Sequence, residues 1–103
     1  MKKENEKPME ITERAFKYSL RAIKLYQYLQ EKRDATAWII GKQYLRSATS
    51  IGANIEEAKS GESLADFVHK YTLAQKEGRE SLYWLRLLSA SGIVPEKKIG
   101  PLI

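Results

Sequence analysis

Positively charged side chains recur at helical spacing in two parts of the sequence. At 100° per residue the first group falls within one arc of about 80°, and its members are Arg14, Lys17, Arg21 and Lys24. The second group repeats at intervals of three, four and three residues with a tyrosine interleaved, and it consists of Lys76, Arg79, Tyr83 and Arg86. Phosphates tracked along such stripes, with a base stacked on the tyrosine, would give unspecific and salt-sensitive binding of RNA or DNA.

The alternative for both stripes is an ordinary solvated helix face. Carboxylates are interspersed with the cations, namely Glu10, Glu13, Glu31 and Glu80. The net charge of +5 attracts polyanions at long range, but many soluble proteins carry as much. Nucleic-acid binding is therefore a hypothesis that rests on how the cations are distributed, and not on their number.

Side chains that carry catalysis or bind metals are sparse. His69, the single histidine, lies three residues after Asp66 and would face it across one helical turn, but this pair falls short of a catalytic or metal-binding set. The sequence has no cysteine and none of the common phosphate-loop, nucleophile-elbow or zinc-protease motifs. We predict a protein that is not an enzyme and that has no cofactor and no metal site.

The composition indicates one globular, helical domain. Hydrophobic residues make up 43% of the chain and charged residues 30%, with only three prolines and six glycines. No apolar run approaches the ~20 residues that span a bilayer, and no signal peptide is recognisable, so we expect neither export nor membrane insertion. The absence of cysteine fits a cytoplasmic location.

The spacing of apolar residues divides the chain into a tail and a single helical-bundle domain. The predicted boundaries are a flexible tail at 1–8, a bundle domain at 9–103, helices at about 9–32, 37–59 and 64–91, and a short stub at 95–103. Because the connections are short, neighbouring helices should be antiparallel. The predicted fold class is all-α, an antiparallel up-down four-helix bundle whose fourth helix is truncated or missing after about residue 95.

Polar residues and glycines mark the predicted helix ends. Thr36 is the predicted N-cap of the second helix, and Ser63 caps the third in a capping-box pattern with Asp66. Gly61 is the predicted stop of the second helix, in the left-handed conformation, and Gly92 follows the end of the third.

The three long helices have different predicted packing faces. The apolar residues of the first helix recur at three and four, roughly opposite its basic stripe, and they are predicted to form its packing face: Ala15, Phe16, Leu20, Ile23, Tyr26 and Leu29. The third helix is predicted to bury a heptad-like seam from Phe67 to Leu88. The second helix contains a run of small residues that should let a neighbouring helix approach closely, and these are Ser47, Ala48, Ser50, Gly52 and Ala53.

Two further strips are predicted to lie between subunits of an oligomer. One is a thin polar strip on the second helix, where a buried amide could fix register, and it consists of Ser47, Ser50 and Asn54. The other is an apolar strip on the third helix that a monomer would expose, and it consists of Leu73, Trp84 and Leu87. The alternative is that a fourth helix covers the apolar strip.

The second and third helices resemble a known family. The run LRSATSIGANIEEAKSGESLADFVHKYTLAQKEGRESLYWLRLL, Leu45 to Leu88, resembles the bacterial four-helix-bundle proteins encoded by intervening sequences of large-subunit ribosomal RNA genes. The same superfamily includes the accessory variability determinant of diversity-generating retroelements. RSATSIGANIEEA looks like the most distinctive segment of the family, and SLADFVHK followed by KEGRESLYWLRLL looks like its third helix.

The resemblance carries expectations about assembly and partners. It implies an antiparallel bundle that assembles as a cytoplasmic ring, commonly a homopentamer, with no associated enzymatic reaction. The retroelement relatives bind nucleic acid and a reverse transcriptase. Members of the family usually continue into a full fourth helix, so we expect a segment beyond Ile103.

Residues and resemblance together predict a non-enzymatic, homo-oligomeric bundle that binds RNA or DNA through its basic helix faces. The alternative is a protein scaffold, or an accessory subunit, whose apolar strips and groove receive a partner such as a reverse transcriptase.

Overall fold

A computed structural model describes residues 10–61 and 63–102, and all the regular structure in these residues is helical. Three long helices are followed by a single short turn of α-helix and a 3-10 turn. Their bounds are α1 at Ile11–Gln30, α2 at Ala35–Lys59, α3 at Leu64–Ala90, α4 at Glu96–Ile99 and the 3-10 turn at Gly100–Leu102. The predicted fold class is confirmed, including the short fourth helix. The predicted tail at 1–8 and the start of the first helix at Met9 lie outside the described residues.

The N-cap of α2 is Asp34, and the prediction of Thr36 was wrong. The Asp34 carboxylate accepts hydrogen bonds from the backbone N–H groups of Thr36 and Ala37, at 3.0 and 3.4 Å. Thr36 therefore already belongs to the first turn of α2. The cap of α3 is confirmed, since the Ser63 hydroxyl accepts from the backbone N–H of Asp66 at 3.1 Å.

The C-terminal ends of α2 and α3 differ. Gly61 does not adopt the left-handed conformation that was predicted for it, because α2 ends at Ser60, whose backbone N–H bonds back to the last turn. Gly92 does adopt it, with φ 78°, directly after α3. The turn at Gly92 brings the N–H of Val94 to the carbonyl of Leu88, at 3.2 Å, and so folds α4 back onto the bundle.

α2 lies between the other two long helices. Both α1 and α3 pack along it and make few contacts with each other. The main core lies along these two interfaces, and one end of it is closed by Val94, in the turn after α3, and Ile99 of α4, both fully buried. Among the described residues, the side of the bundle between α1 and α3 is therefore a groove.

Small residues allow α1 to lie close to α2. A Cβ atom placed on Gly52 would lie 3.5 Å from the Cβ atom of Ala15, and one placed on Gly41 would lie 2.6 Å from a methyl carbon of Leu29. The predicted role of Gly52 in close packing is confirmed by this geometry.

The packing face of α1 is only partly the predicted one, because Ala15 and Leu29 are buried as predicted while the larger residues between them are not. Phe16, Leu20 and Ile23 are 62%, 45% and 39% exposed, and the buried residues of α1 are Ala15, Ala22, Leu25 and Leu29. The reason is steric, because the alanine side of α1 fits against the small residues of α2 and a phenylalanine would not. On α3 four residues of the predicted seam are buried, and Gly78 within it is half-buried. The buried four are Ala74, Ser81, Leu85 and Leu88. Phe67, at the N-terminal end of the seam, is 41% exposed.

Candidate nucleic-acid interface and the adjoining groove

The rotation of α1 places its basic stripe beside the groove. Since Phe16 and Ile23 point outward, the stripe on the opposite side of the helix turns toward the space between α1 and α3. Arg14, Lys17 and Arg21 line this groove, and all three remain exposed to solvent. The sequence predicted the stripe but not its position.

A tyrosine pair fixes this rotation. Tyr44 of α2 is fully buried, and its hydroxyl donates to the hydroxyl of Tyr18 of α1 over 3.1 Å, with the rings edge to face. Burial, and then this hydrogen bond, raise the pKa of Tyr44 well above its ordinary value. Arg21 lies over the Tyr18 ring, 5.9 Å from its centre, so the pair also positions a cation of the stripe.

α4 adds a cation to the stripe. Lys98 lies over the ring of Tyr28, 4.6 Å from its centre, and Lys32 approaches the same ring at 5.1 Å. A smaller depression of about 240 Å³ joins Lys98 to Lys24 and Arg21. We call the exposed set formed by the stripe and this lysine the basic rim, and it consists of Arg14, Lys17, Arg21, Lys24 and Lys98.

The groove itself is largely apolar. It holds about 730 Å³, with Ile51 and Ile55 of α2 as its floor and Leu82 and Leu85 of α3 as its far wall. Among the described residues that line it there is no carboxylate. The basic rim thus borders an apolar surface.

The second predicted stripe lies on α3 and is only partly directed toward the groove. All four of its residues are exposed, and they are Lys76, Arg79, Tyr83 and Arg86. Arg79 and Arg86 are three and four residues from Leu82 and share its side of α3, so they flank the wall of the groove. Tyr83 packs edge to face on Trp84, with ring centres 5.2 Å apart, and remains 54% exposed.

Two carboxylates of α3 face α2 and not the α3 stripe. Arg46 of α2 bonds to both Glu77 and Glu80, and Glu80 also accepts from the indole N–H of Trp84 at 3.1 Å. Glu80 therefore offsets less of the positive charge of the α3 stripe than its position in the sequence suggests.

On α1, Lys17 pairs with Glu13 at 3.6 Å, and both side chains are more than half exposed, so this ion pair is weak.

The predicted interface residues have different environments. Ser47 is fully buried and its hydroxyl is within hydrogen-bonding distance of the carbonyls of Gln43 and Tyr44, so the prediction that it contacts another subunit was wrong. Ser50 and Asn54 are half-buried and donate to carbonyls of their own helix. The three apolar members are also half-buried, and they are Leu73, Trp84 and Leu87.

Sequence reasoning missed the strip that is most exposed on α1. Phe16, Leu20 and Ile23 form an outward apolar strip at intervals of four and three. The signal was available, because α1 carries apolar residues on two faces, one of aromatic and branched side chains and one that includes two alanines. Helical spacing alone does not indicate which face packs inward.

His69 and Asp66 are both exposed at the start of α3. In the described parts of the chain, no three His, Asp or Glu side chains converge in a way that would hold a metal ion. Within the same residues, no helix has the combination of length and apolar character needed to cross a bilayer.

The chain is similar to known proteins in both sequence and structure. The family model described as 23S rRNA-intervening sequence protein matches residues 7–103. A crystal structure of a protein of unknown function from Bacteroides thetaiotaomicron VPI-5482, assigned to the S23 ribosomal protein family, superimposes with a TM-score of 0.84 at 34% identity. The match covers 90% of this chain and 84% of that one. No curated protein matches the chain.

Proposed function

This chain belongs to the 23S rRNA-intervening sequence protein family, and we propose that it is a cytoplasmic, non-enzymatic homo-oligomer that binds RNA or DNA without sequence preference. The expected relation to the accessory determinant of diversity-generating retroelements stays a prediction.

The observation that carries the proposal is the basic rim. Two separate elements, α1 and α4, contribute exposed cations to one continuous edge of the molecule. Residues 14 to 24 span about 15 Å along α1 at 1.5 Å per residue, which is long enough to meet several phosphates of one strand. Cations spaced along a helix face meet phosphates of the backbone, so the binding would not depend on the base sequence.

An oligomer would carry several copies of the basic rim, so it could bind a long nucleic acid tightly even if one rim binds weakly. Several copies of the rim in one assembly raise the avidity for a long polyanion without any new contact. A closed ring needs two different surfaces on each chain, one meeting the other on the next copy. The outward strip of α1, residues 16 to 23, and the apolar strip of α3 with Leu73, Trp84 and Leu87 are two such surfaces, on helices at opposite sides of α2.

The test is a fluorescence-anisotropy titration of a labelled single-stranded RNA and the matching DNA at two salt concentrations. The rim variant is Arg14→Gln, Arg21→Gln and Lys24→Gln together, which leaves the Glu13 pair of Lys17 intact. The matched control removes the same charge elsewhere, as Arg33→Gln, Lys42→Gln and Lys59→Gln. We expect the rim variant to bind at least about tenfold more weakly, with its logarithmic salt slope reduced by up to about 2, since each lost phosphate contact on a single strand removes about 0.7.

Equal losses in the two variants would assign the binding to net charge and not to the rim. Absence of binding by the wild type at low salt would refute the proposal.

A further inference from the structure

A small depression lies between the second half of α1 and α4. It holds about 240 Å³, and its polar lining consists of Arg21, Lys24 and Tyr28 on α1 and Lys98 on α4. The three residues of α1 are spaced at three and four along one face of the helix, over about 10 Å or two turns. Lys24, Tyr28 and Lys98 do not line the groove between α1 and α3, so most of the depression lies outside that groove.

Three cations line this depression without a neutralising carboxylate, and we call it the cation pocket. Arg21, Lys24 and Lys98 are exposed, and no carboxylate lies among the described residues that line the pocket. Within the described parts of the chain, none of the three cations forms an ion pair. Like charges that share one small depression repel one another, and an anion bound between them would relieve this repulsion.

Two tyrosine rings hold two of these cations in place. The guanidinium of Arg21 lies 5.9 Å from the centre of the Tyr18 ring, and the ammonium of Lys98 lies 4.6 Å from the centre of the Tyr28 ring. Tyr18 is fixed in turn by its hydrogen bond with the buried Tyr44. Long side chains lose rotamer freedom when they bind a ligand, and cations that already lie over a ring lose less of it.

The size of the pocket and its number of cations fit a terminal phosphate. A phosphate monoester carries a charge of about −1.5 to −2 and three acceptor oxygens, whereas a phosphodiester within a strand carries a single charge. The pocket is smaller than the about 300–1,000 Å³ of sites that enclose a whole small molecule, so it suits the phosphate and not the nucleoside. Lys24 is also the last member of the α1 stripe, so a strand that follows the stripe reaches the pocket after Arg21.

We propose that the cation pocket binds the terminal phosphate monoester of an RNA or DNA strand whose backbone lies along the basic rim. This inference rests on the proposed function, and its test keeps the two apart.

The test compares three single strands of one sequence by fluorescence anisotropy, each labelled at an internal base. One strand has a 5′-phosphate, one has a 3′-phosphate, and one has hydroxyl groups at both ends. We expect the wild type to bind one of the phosphorylated strands at least about fivefold more tightly than the hydroxyl strand, and the preferred end gives the direction of the strand along the rim.

Two neighbouring lysines of α4 locate the terminal phosphate. Lys98→Gln removes a cation from the pocket, so the advantage of the phosphorylated strand should fall below about twofold. The matched control is Lys97→Gln, which removes the same charge from an exposed residue that does not line the pocket, and it should keep the advantage. Arg14→Gln, ten residues before Lys24 on the rim, should weaken both strands and leave the ratio of their affinities unchanged.

Inorganic phosphate provides a measurement that needs no strand. We expect its titration into isotope-labelled protein to give saturable changes in the NMR chemical shifts of the amides of Lys24 and Tyr28. Lys98→Gln should abolish these changes, and sodium chloride at the same ionic strength should not produce them.

Equal binding of the three strands, or an advantage that Lys98→Gln leaves intact, would overturn the inference. So would phosphate-induced shifts spread evenly over all the cationic faces. If all three strands bind equally well, the proposed function stands without the phosphate site. Phosphate shifts confined to the pocket, in a protein that binds none of the strands, would refute only the proposed function.

Discussion

Gly41 and Gly52 show how single residues set the distance between α1 and α2. Both lie inside α2 and meet α1, so each gives up helix propensity for close approach. Their neighbours differ, however. Gly52 faces Ala15 and Ser19 at ordinary contact distance, while Gly41 faces the side chain of Leu29, which is fully buried and has little room to move.

We therefore expect opposite effects from the same substitution at the two glycines. Gly52→Ala should stabilise the protein by about 0.5–1 kcal/mol, because alanine is favoured over glycine in a helix and its methyl group fits. Gly41→Ala should destabilise it by about 1 kcal/mol, because displacing Leu29 in a packed core costs more than the helix gains. Urea unfolding of the two variants measures both values. A destabilising Gly52→Ala would mean that α1 and α2 lie closer together than the structure has them.

At the scale of the element, the turn between α1 and α2 is held by contacts of two kinds. The carboxylate of Asp34 caps α2, and the indole N–H of Trp38 donates to the carbonyl of Leu29, at 3.1 Å, near the end of α1. The first contact pairs two backbone N–H groups in the first turn of α2, and the second pairs a carbonyl near the end of α1, which would otherwise lack partners within their helices.

Substitution of each residue by alanine should show whether Asp34 or Thr36 is the N-cap of α2. We expect Asp34→Ala to lower the free energy of unfolding by about 1 kcal/mol, while Thr36→Ala changes it by less than about 0.5 kcal/mol, since only the backbone of Thr36 takes part. Asp34→Asn keeps an oxygen acceptor and should restore most of the loss. Thermal unfolding followed by circular dichroism would detect these differences, and a Thr36→Ala variant as unstable as Asp34→Ala would contradict the assignment of the cap.

Local signals in the sequence predicted the elements but not how they face one another. The cap at Ser63 and the glycine at Gly92 depend on neighbouring residues alone, so they could be predicted. Asp34 and Thr36 both belong to residue types that cap helices and lie only two residues apart, so local sequence alone does not identify the N-cap of α2. The inward face of α1 depends instead on its fit to α2, and hydrophobicity ranks Phe16 above Ala15 although the alanine is the one that fits.

The same distinction applies to the candidate site. Four cations of the basic rim could be found from helical spacing, but their position beside an apolar groove follows from the rotation of α1 and the separation of α1 from α3. Lys98 joins the rim from a part of the chain 74 positions after Lys24, and no local pattern links the two residues.

At the scale of the whole molecule, α1 and α3 both pack on α2 and make few contacts with each other, so each long helix keeps a face that no other described helix covers. The molecule measures 45 × 38 × 19 Å over its described residues, so its thinnest dimension is about that of two packed helices. The outward strip of α1 exposes Phe16, Leu20 and Ile23, and neighbouring apolar side chains of this kind are common in contacts between proteins. Contacts between copies of the chain would bury it.

A ring built from two different surfaces makes a prediction that a symmetric dimer does not. Leu20→Lys should disable the strip of α1, and Leu73→Lys should disable the strip of α3, so each variant alone should have a mass near that of the monomer, 11.8 kDa, in light scattering after gel filtration. Each variant keeps the surface that the other has lost. An equimolar mixture should therefore form a pair of about twice the chain mass and stop there, because the two disabled surfaces at its ends cannot close a ring.

The control for this prediction is Ile39→Lys, which lies outside both strips and should keep the wild-type mass. If the mixture stays monomeric while each variant is folded, the two strips do not meet each other; if Leu73→Lys assembles normally, the interface lies on α1 alone and joins like surfaces.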